Sequence, residues 1–470
     1  MTHPLSTAFI DALRALLGPA HVAAGESDGV GDGGSKLHPR EAGAVVYPAT
    51  TDEVADVVRL CAQHRVPVLP KSGRSGQGSA GVSQPGEVVL SLSRMNHIEA
   101  IDPQARVAVV GAGCTLAALQ EAAAALQLEP GIDLAARGSA TLGGMVSANT
   151  GGVMAFRNGV MRHRVLGLEA VLPDSSVFQD LSWAGKKTAG TELRHLFIGA
   201  EGTLGVITRI VLKLDPLPQV TNTVLLGLPS VEATLDVIGR ALQMEVGHVR
   251  AAEALWQGLM RLNAQALHWS DAAMPLDQPL YLLLKIGGAR HDALQTGLEQ
   301  LVADTRLRYP STTDIIASSA PQEAALWHLR EATDIVYRAH PHAPSFEVSV
   351  PLWNIPAYVA QVQAELAALD ANLRPYLFGH LADGTLNIIL NEPGPLASAR
   401  ARVVEHILYR NLQALGGSFS AEHGVCVKRL GALNETSDDT KDDTKRALLE
   451  KIKKLLDAPG VKNRGNIIRG

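Results

Sequence analysis

The sequence is poor in cysteine. Its three residues, Cys61, Cys114 and Cys426, stand far apart and form no C-x-x-C pair. An odd, scattered set excludes a disulfide framework and a cysteine zinc site, and fits a reducing compartment. Long apolar runs are missing too: nothing approaches the ~18 consecutive apolar residues of a spanning helix. Met1–Val22 lacks the cationic start and apolar centre of a secretory signal. Ser6–Leu17 reads instead as an amphipathic helix, with Phe9, Leu13, Leu16 and Leu17 on one side and Gly18 as its stop. The expectation is a cytoplasmic protein with no transmembrane segment. Basic runs are also absent. A net charge of −5 and 4 % aromatic residues offer neither the cationic stripe that nucleic acid needs nor a polybasic membrane patch.

What is present is core-forming material. The chain has 470 residues, 46 % hydrophobic and 19 % charged, enough for two or three domains at roughly 100–200 residues each. Strand patterns fall at 44–48, 66–70, 88–92 and 106–110. Thr50 and Glu53 form a capping box for a helix whose apolar side is Val54, Val57, Val58 and Cys61. A further helix is expected over 115–126. Asp215-Pro216-Leu217-Pro218 reads as a linker. Beyond it, helical patterns (231–244, 321–337, 355–370, 397–415) alternate with strands (280–286, 346–350, 385–390), which predicts a second α+β domain. Asn434–Lys445 is almost devoid of apolar residues and reads as an exposed loop.

Three glycine-rich tracts mark the first half: Pro70–Gln77, Gly138–Gly152 and Gly199–Gly205. Glycine is needed where main chain must approach a phosphate closely or adopt positive φ, so three tracts suit a long phosphate-bearing ligand. Two fingerprints fail. Gly111-Ala112-Gly113 follows a strand, but Leu116 stands where a Rossmann motif needs its third glycine, and Gly138–Gly144 lacks a P-loop lysine.

The tract Gly138-Ser139-Ala140-Thr141-Leu142-Gly143-Gly144, the segment 165–173 and the tract Leu196–Gly205 resemble, in order and spacing, those of flavoproteins with the p-cresol methylhydroxylase and vanillyl-alcohol-oxidase type of FAD domain. Within that superfamily they resemble the D-2-hydroxyacid dehydrogenase branch. The resemblance spans roughly residues 40–470 and implies an α+β fold. An FAD-binding domain of two α+β subdomains (1–215) would be followed by a substrate domain with an antiparallel sheet (216–425) and a segment returning to the first domain (426–470). It implies FAD contacts at Lys71, Ser72, Gly73, Arg74, Ser75, Gly76, Gln77, Gly138, Ser139, Thr141, Gly143, Gly144, Ser147, Ala148, Glu201, Gly202, Ile207 and Asn463. Arg74 stands where a glycine is common, and Arg464 where a proline is. Nothing requires covalent flavin: His97 and His163 read as surface or helix-end residues.

Two histidine tracts carry the candidate chemistry, Phe378–Asn387 and Ser418–Cys426. Imidazole and oxygen donors with open positions suit Zn²⁺ or Mn²⁺. The resemblance assigns the metal to His380, Glu422 and a second histidine, which is Asn387 here; an amide oxygen is a weaker zinc ligand. Cys426 replaces a glycine and reads as a small buried residue. His423 matches the catalytic base, which takes the C2 hydroxyl proton of a 2-hydroxy acid while the flavin takes the hydride. Arg330, in Trp327-His328-Leu329-Arg330-Glu331, matches the arginine that binds the substrate carboxylate; its bland alternative is a helix-surface arginine paired with Asp334. The lysine that binds a distal carboxylate in D-2-hydroxyglutarate enzymes is matched by Ser345, which argues against a dicarboxylate unless Arg338, His340 or His342 substitutes. The expected function is FAD-dependent oxidation of a small D-2-hydroxy acid of the lactate or hydroxyglutarate type, in a homodimer. A quinone, an electron-transfer flavoprotein or oxygen would take the electrons. Oxidation of another alcohol, or service as a flavin-bearing electron-transfer subunit, are the alternatives.

Overall fold

The computed structural model describes residues 5–24, 43–71, 86–270, 274–392, 394, 396, 398–420 and 442–457. The chain divides into two compact units. One comprises Met1–Gly152, Asn158–Leu217 and Glu422–Gly470; the other comprises Val153–Arg157 and Pro218–Ala421.

Among the described residues the first unit holds two larger sheets and a two-stranded one. Strands β1 (Val22–Ala24), β2 (Ala44–Val46), β3 (Val68–Lys71) and β4 (Val88–Ser91) form a sheet in the order β1-β2-β4-β3. β2 and β3 both run parallel to β4, and helix α2 (Thr51–His64) crosses between them. Parallel neighbours need such a crossover, and a sheet covered on its faces reads as short apolar runs. Helix α1 (Thr7–Leu17) is capped by the Ser6 side chain and stops at Gly18. It buries Phe9, Leu13 and Leu17 against α2's Val54, Val57, Val58 and Cys61. The Thr50 side chain caps α2, but Glu53 accepts from the N–H of Ala49 rather than that of Thr50.

The second sheet contains β5 (Ile98–Asp102), β6 (Val107–Gly111), β8 (Val165–Val171), β9 (Val177–Asp180) and β10 (Val206–Lys213). It is antiparallel throughout, in the order β5-β6-β10-β8-β9. Helices α3 (Leu116–Ala124) and α4 (Leu142–Ala148) add Leu116, Leu119, Leu142, Met145 and Val146 to its core. The predicted linker is partly ordered: Asp215–Pro216 (β11) pairs with Leu128–Glu129 (β7). Helix Asp442–Leu456 contributes Ile452 and Leu456 to the same core, so residues 442–445, expected in a loop, are helical. They share a helix whose later turns are anchored by burial.

The second unit is built on one seven-stranded antiparallel sheet. Its strands are β12 (Val220–Leu228), β13 (His248–Trp256), β14 (Leu280–Gly288), β15 (Thr313–Ile316), β16 (Ser345–Ser349), β17 (Pro375–His380) and β18 (Thr385–Leu390). They lie in the order β15-β12-β14-β13-β17-β18-β16. One face carries Leu225, Leu255, Tyr281, Leu283, Phe378 and Ile389. Helices Gln257–Ala266, Ala320–Glu331 and Asp334–Ala339 cover it with Leu259, Met260, Leu326, Leu329 and Val336. The helix expected over 321–337 is thus two helices, broken at Ala332 and Thr333.

Candidate functional site

In the first unit the second and third glycine tracts meet, and the third also touches Pro70. Helix α4 ends on Asn149 in the left-handed region, and two bonds tie it to the third tract: Gly199 N–H to Val146 O (3.0 Å) and Glu201 N–H to Ser147 O (2.9 Å). Arg162 reinforces this joint through the carbonyls of Ile198 (2.5 Å) and His195 (3.2 Å). Gly202, at φ +73°, lies where a Cβ would meet Pro70 Cγ at 3.2 Å, so the third tract packs on the start of the first. Lys71 ends β3. Ser72, Gly73, Arg74, Ser75, Gly76 and Gln77 lie outside the described residues.

The second tract divides into packing and accessible positions. A Cβ on Gly143 would stand 2.6 Å from Ala112 Cβ and 2.8 Å from Ala112 O, so glycine lets α4 dock against the end of β6. The N–H groups of Leu142 and Gly143 donate to Cys114 O and Ala112 O, each at 2.8 Å, and that of Gly144 to Thr141 Oγ1 at 3.4 Å. The first turn of α4 is therefore satisfied internally and offers no free N–H to a phosphate. Gly138 and Ser139 are exposed and Gly144, Ser147, Ala148 and Glu201 half-buried, whereas Thr141, Gly143, Gly202 and Ile207 are buried. Ile207 belongs to the sheet core. Gly111 and Gly113 have a structural cause. Side chains there would strike the carbonyls of Met95 and Leu92 at 2.1 and 2.0 Å, which explains a glycine pair without a Rossmann motif. His97 lies 3.5 Å from Glu99 at the surface, and His163 Nδ1 accepts from the N–H of Val160. Cys61 and Cys114 are buried, and burial pushes the Cys114 thiol up to about 11.

A second cluster lies within the second unit, on the sheet face just described. Glu253 in β13 stands directly opposite His380 in β17, and Phe378 opposite Asn387 in β18. Opposed residues share a face, as do residues two apart. Glu253, Phe378, His380 and Asn387 therefore share one face, with Glu347 opposite Asn387. Arg330, from helix Ala320–Glu331, reaches down onto it. Its guanidinium lies 4.7 Å above the Phe378 ring, and NH2 is 2.8 Å from Glu253 Oε2. The pair is close but not aligned as a hydrogen bond, and Arg330 Nε is buried with no hydrogen-bond partner among the described residues. His380 Nδ1 is 2.6 Å from Glu253 Oε1. Arg330 is only 8 % exposed and Glu253 0 %. The surface alternative for Arg330 is overturned, since Asp334 pairs with Arg338 on the exposed side of the next helix. Asp383, in the turn after His380, is held above the usual carboxylate range by burial, partly offset by His380. His340 Nε2 hydrogen-bonds the Tyr376 hydroxyl (3.1 Å), and the two rings lie tilted against each other.

Nothing in the sequence singles out Glu253. It sits in HVRAAEALW, a strand whose alanines and charges hide its alternation. The one available signal was a lone acidic residue between alanines beside large apolar groups. Glu422, His423, Cys426 and Asn463 lie outside the described residues. Among the described residues no group of three or more His, Cys, Asp and Glu side chains is placed to hold a metal. His380 fits a ligand role, because a ring nitrogen bonded to a carboxylate orients the other toward an ion. Asn387 supplies an amide oxygen, a donor suited to harder cations.

With this geometry in hand, comparisons with known proteins define the class. Residues 42–180 match the FAD binding domain family, and residues 217–467 match the family described as FAD linked oxidases, C-terminal domain. The chain belongs to the FAD-linked oxidases: it binds FAD and is an oxidoreductase of the D-2-hydroxyacid dehydrogenase branch. It is 32 % identical over 433 residues to D-2-hydroxyglutarate dehydrogenase of Xanthomonas citri pv. viticola, covering 90 % of this chain and 89 % of that protein. It is 30 % identical over 420 residues to the mitochondrial D-2-hydroxyglutarate dehydrogenase of Danio rerio, covering 89 % and 77 %. In fold it is similar to p-cresol methylhydroxylase, with TM-score 0.73 and 19 % identity over 98 % of this chain and 96 % of that one. Among the described residues no helix is long and apolar enough to cross a membrane.

Proposed function

We propose that this protein oxidises a small D-2-hydroxy acid to its 2-oxo acid. One observation carries the reading beyond the family. A guanidinium is buried beside an imidazole on one sheet face, with part of its hydrogen-bonding capacity unused. Arg330 holds the substrate carboxylate through charge-assisted hydrogen bonds, and His423 accepts the hydroxyl proton. Bound FAD supplies the two-electron acceptor. The half-buried and exposed members of the glycine tracts (Gly138, Ser139, Gly144, Ser147, Ala148 and Glu201), with Lys71, residues 72–77 and Asn463, hold the cofactor. Thr141, Gly143, Gly202 and Ile207 shape the wall behind it.

A divalent ion, where present, is held by His380, Asn387 and Glu422. The substrate side chain is uncharged. Ser345 stands where a distal carboxylate would need a cation, Arg338 is an exposed partner of Asp334, and His340 is engaged with Tyr376. These features support a lactate-like acid over a dicarboxylate. The enzyme works as a cytoplasmic homodimer.

The test is anaerobic flavin reduction by paired D and L acids, followed by reoxidation with oxygen, a quinone or an electron-transfer flavoprotein. Bleaching by D-lactate-like acids, and not by their L forms, is expected. Bleaching by simple alcohols alone would favour a different alcohol substrate.

A further inference from the structure

We propose that Glu253 is a positioning residue of the substrate site, a single carboxylate that fixes both Arg330 and His380. The inference rests on the reading of Arg330 as the carboxylate anchor. Glu253 is fully buried in the middle of β13, flanked by Ala252 and Ala254 and opposite Leu283 on β14. An apolar residue would serve packing better there, because a buried ion pair is often no more stabilising than a hydrophobic replacement. What an apolar residue cannot supply is geometry. Oε1 lies 2.6 Å from His380 Nδ1, and Oε2 lies 2.8 Å from Arg330 NH2.

The hydrogen bond at Nδ1 sets which imidazole edge faces outward, as carboxylate partners do for ligand and catalytic histidines. The ion pair fixes where the fork of the guanidinium lies over Phe378. The two partners come from different elements, a helix and a strand end, and Glu253 contacts both.

The experiment compares Glu253→Gln with wild type as FAD-loaded enzyme, with rates normalised to bound flavin. Gln keeps the shape and removes the charge. KM for the D-2-hydroxy acid should rise at least tenfold, and kcat should fall by 10–100-fold, the range typical of residues that orient others. KM is the deciding readout, since a merely structural loss lowers the active fraction and leaves KM alone. An unchanged KM overturns the proposal. Should Glu253→Gln not accumulate folded, Glu253→Asp carries the test. It keeps the charge but shortens the reach, and must also raise KM at an unchanged melting temperature; a wild-type KM refutes the role. Arg330→Ala separates the two claims. If it leaves KM unchanged, the carboxylate anchor itself is wrong. If it raises KM while both Glu253 variants behave as wild type, only the positioning role fails.

Discussion

Gly138 and Gly143 stand five residues apart in one motif but in opposite surroundings, one open and one tightly packed. A methyl group on Gly143 would lie 2.6 Å from Ala112 Cβ and 2.8 Å from Ala112 O, both rigid parts of the turn after β6. Ordinary carbon contacts begin near 3.4 Å, so α4 must move out by most of an ångström. That movement strains the bond from Gly143 N–H to Ala112 O. Overpacking costs about 1–3 kcal/mol, and a lost hydrogen bond costs about 1 kcal/mol more. Gly143→Ala should therefore lower stability by about 2–4 kcal/mol, a fall in melting temperature of roughly 4–16 °C at 2–4 °C per kcal/mol. Gly138→Ala meets nothing within 4 Å and should leave melting within about 2 °C, since surface changes usually fall within ±0.5 kcal/mol. Flavin content should fall with Gly143→Ala because its helix carries Gly144, Ser147 and Ala148. With Gly138→Ala, flavin affinity should fall at unchanged stability, as befits a contact rather than a packing position. The assay is thermal unfolding of apoprotein alongside FAD titration by fluorescence quenching. Equal melting temperatures for wild type and Gly143→Ala would refute the packing argument.

Three other perturbations follow from the same reasoning. Lys453 donates to Thr203 O and pairs with the buried Asp457, each at 2.6 Å; burial lowers its pKa. Lys453→Met should destabilise the first unit by about 3–5 kcal/mol and expose helix Asp442–Leu456 to proteolysis, and unchanged proteolysis would contradict that docking. Glu99 is held below the usual glutamate range chiefly by its hydrogen bond to Arg209. Its carboxylate thus favours the folded state, a contribution present above the unfolded value of 4.5 and lost as pH falls through the lower folded value. Glu99→Gln should cost under about 1 kcal/mol at pH 7, with the gap to wild type closing below pH 4.5 in denaturant titrations; a gap constant with pH speaks against the assignment. Asn387→His should tighten Zn²⁺ binding at least tenfold in equilibrium dialysis, and equal affinities would remove Asn387 from the metal set.

Much of this architecture is legible in the sequence, for reasons visible in particular residues. Short apolar runs bounded by caps, such as 88–92 and 51–64, declare themselves because one chemical signal dominates. The glycine tracts are recognisable as a group, but their separate causes are not. Gly143, Gly111 and Gly113 are fixed by close contacts with chain far away in sequence, which no local pattern records. No local pattern announces β12, β13 and β17, where buried polar residues such as Asn222, Thr223 and Glu253 bond to side chains of other elements. Glu253 illustrates the difficulty: an acid in a buried strand makes sense only once Arg330 and His380 arrive from 77 and 127 residues away.

The most direct measurement is the absorbance of the flavin when a D-2-hydroxy acid is added without oxygen. The wild-type enzyme should bleach rapidly, and His423→Ala with a full complement of FAD should not bleach within the same time. Bleaching of that variant at the wild-type rate, or an unreduced wild-type flavin across every acid tried, would contradict the proposed reaction.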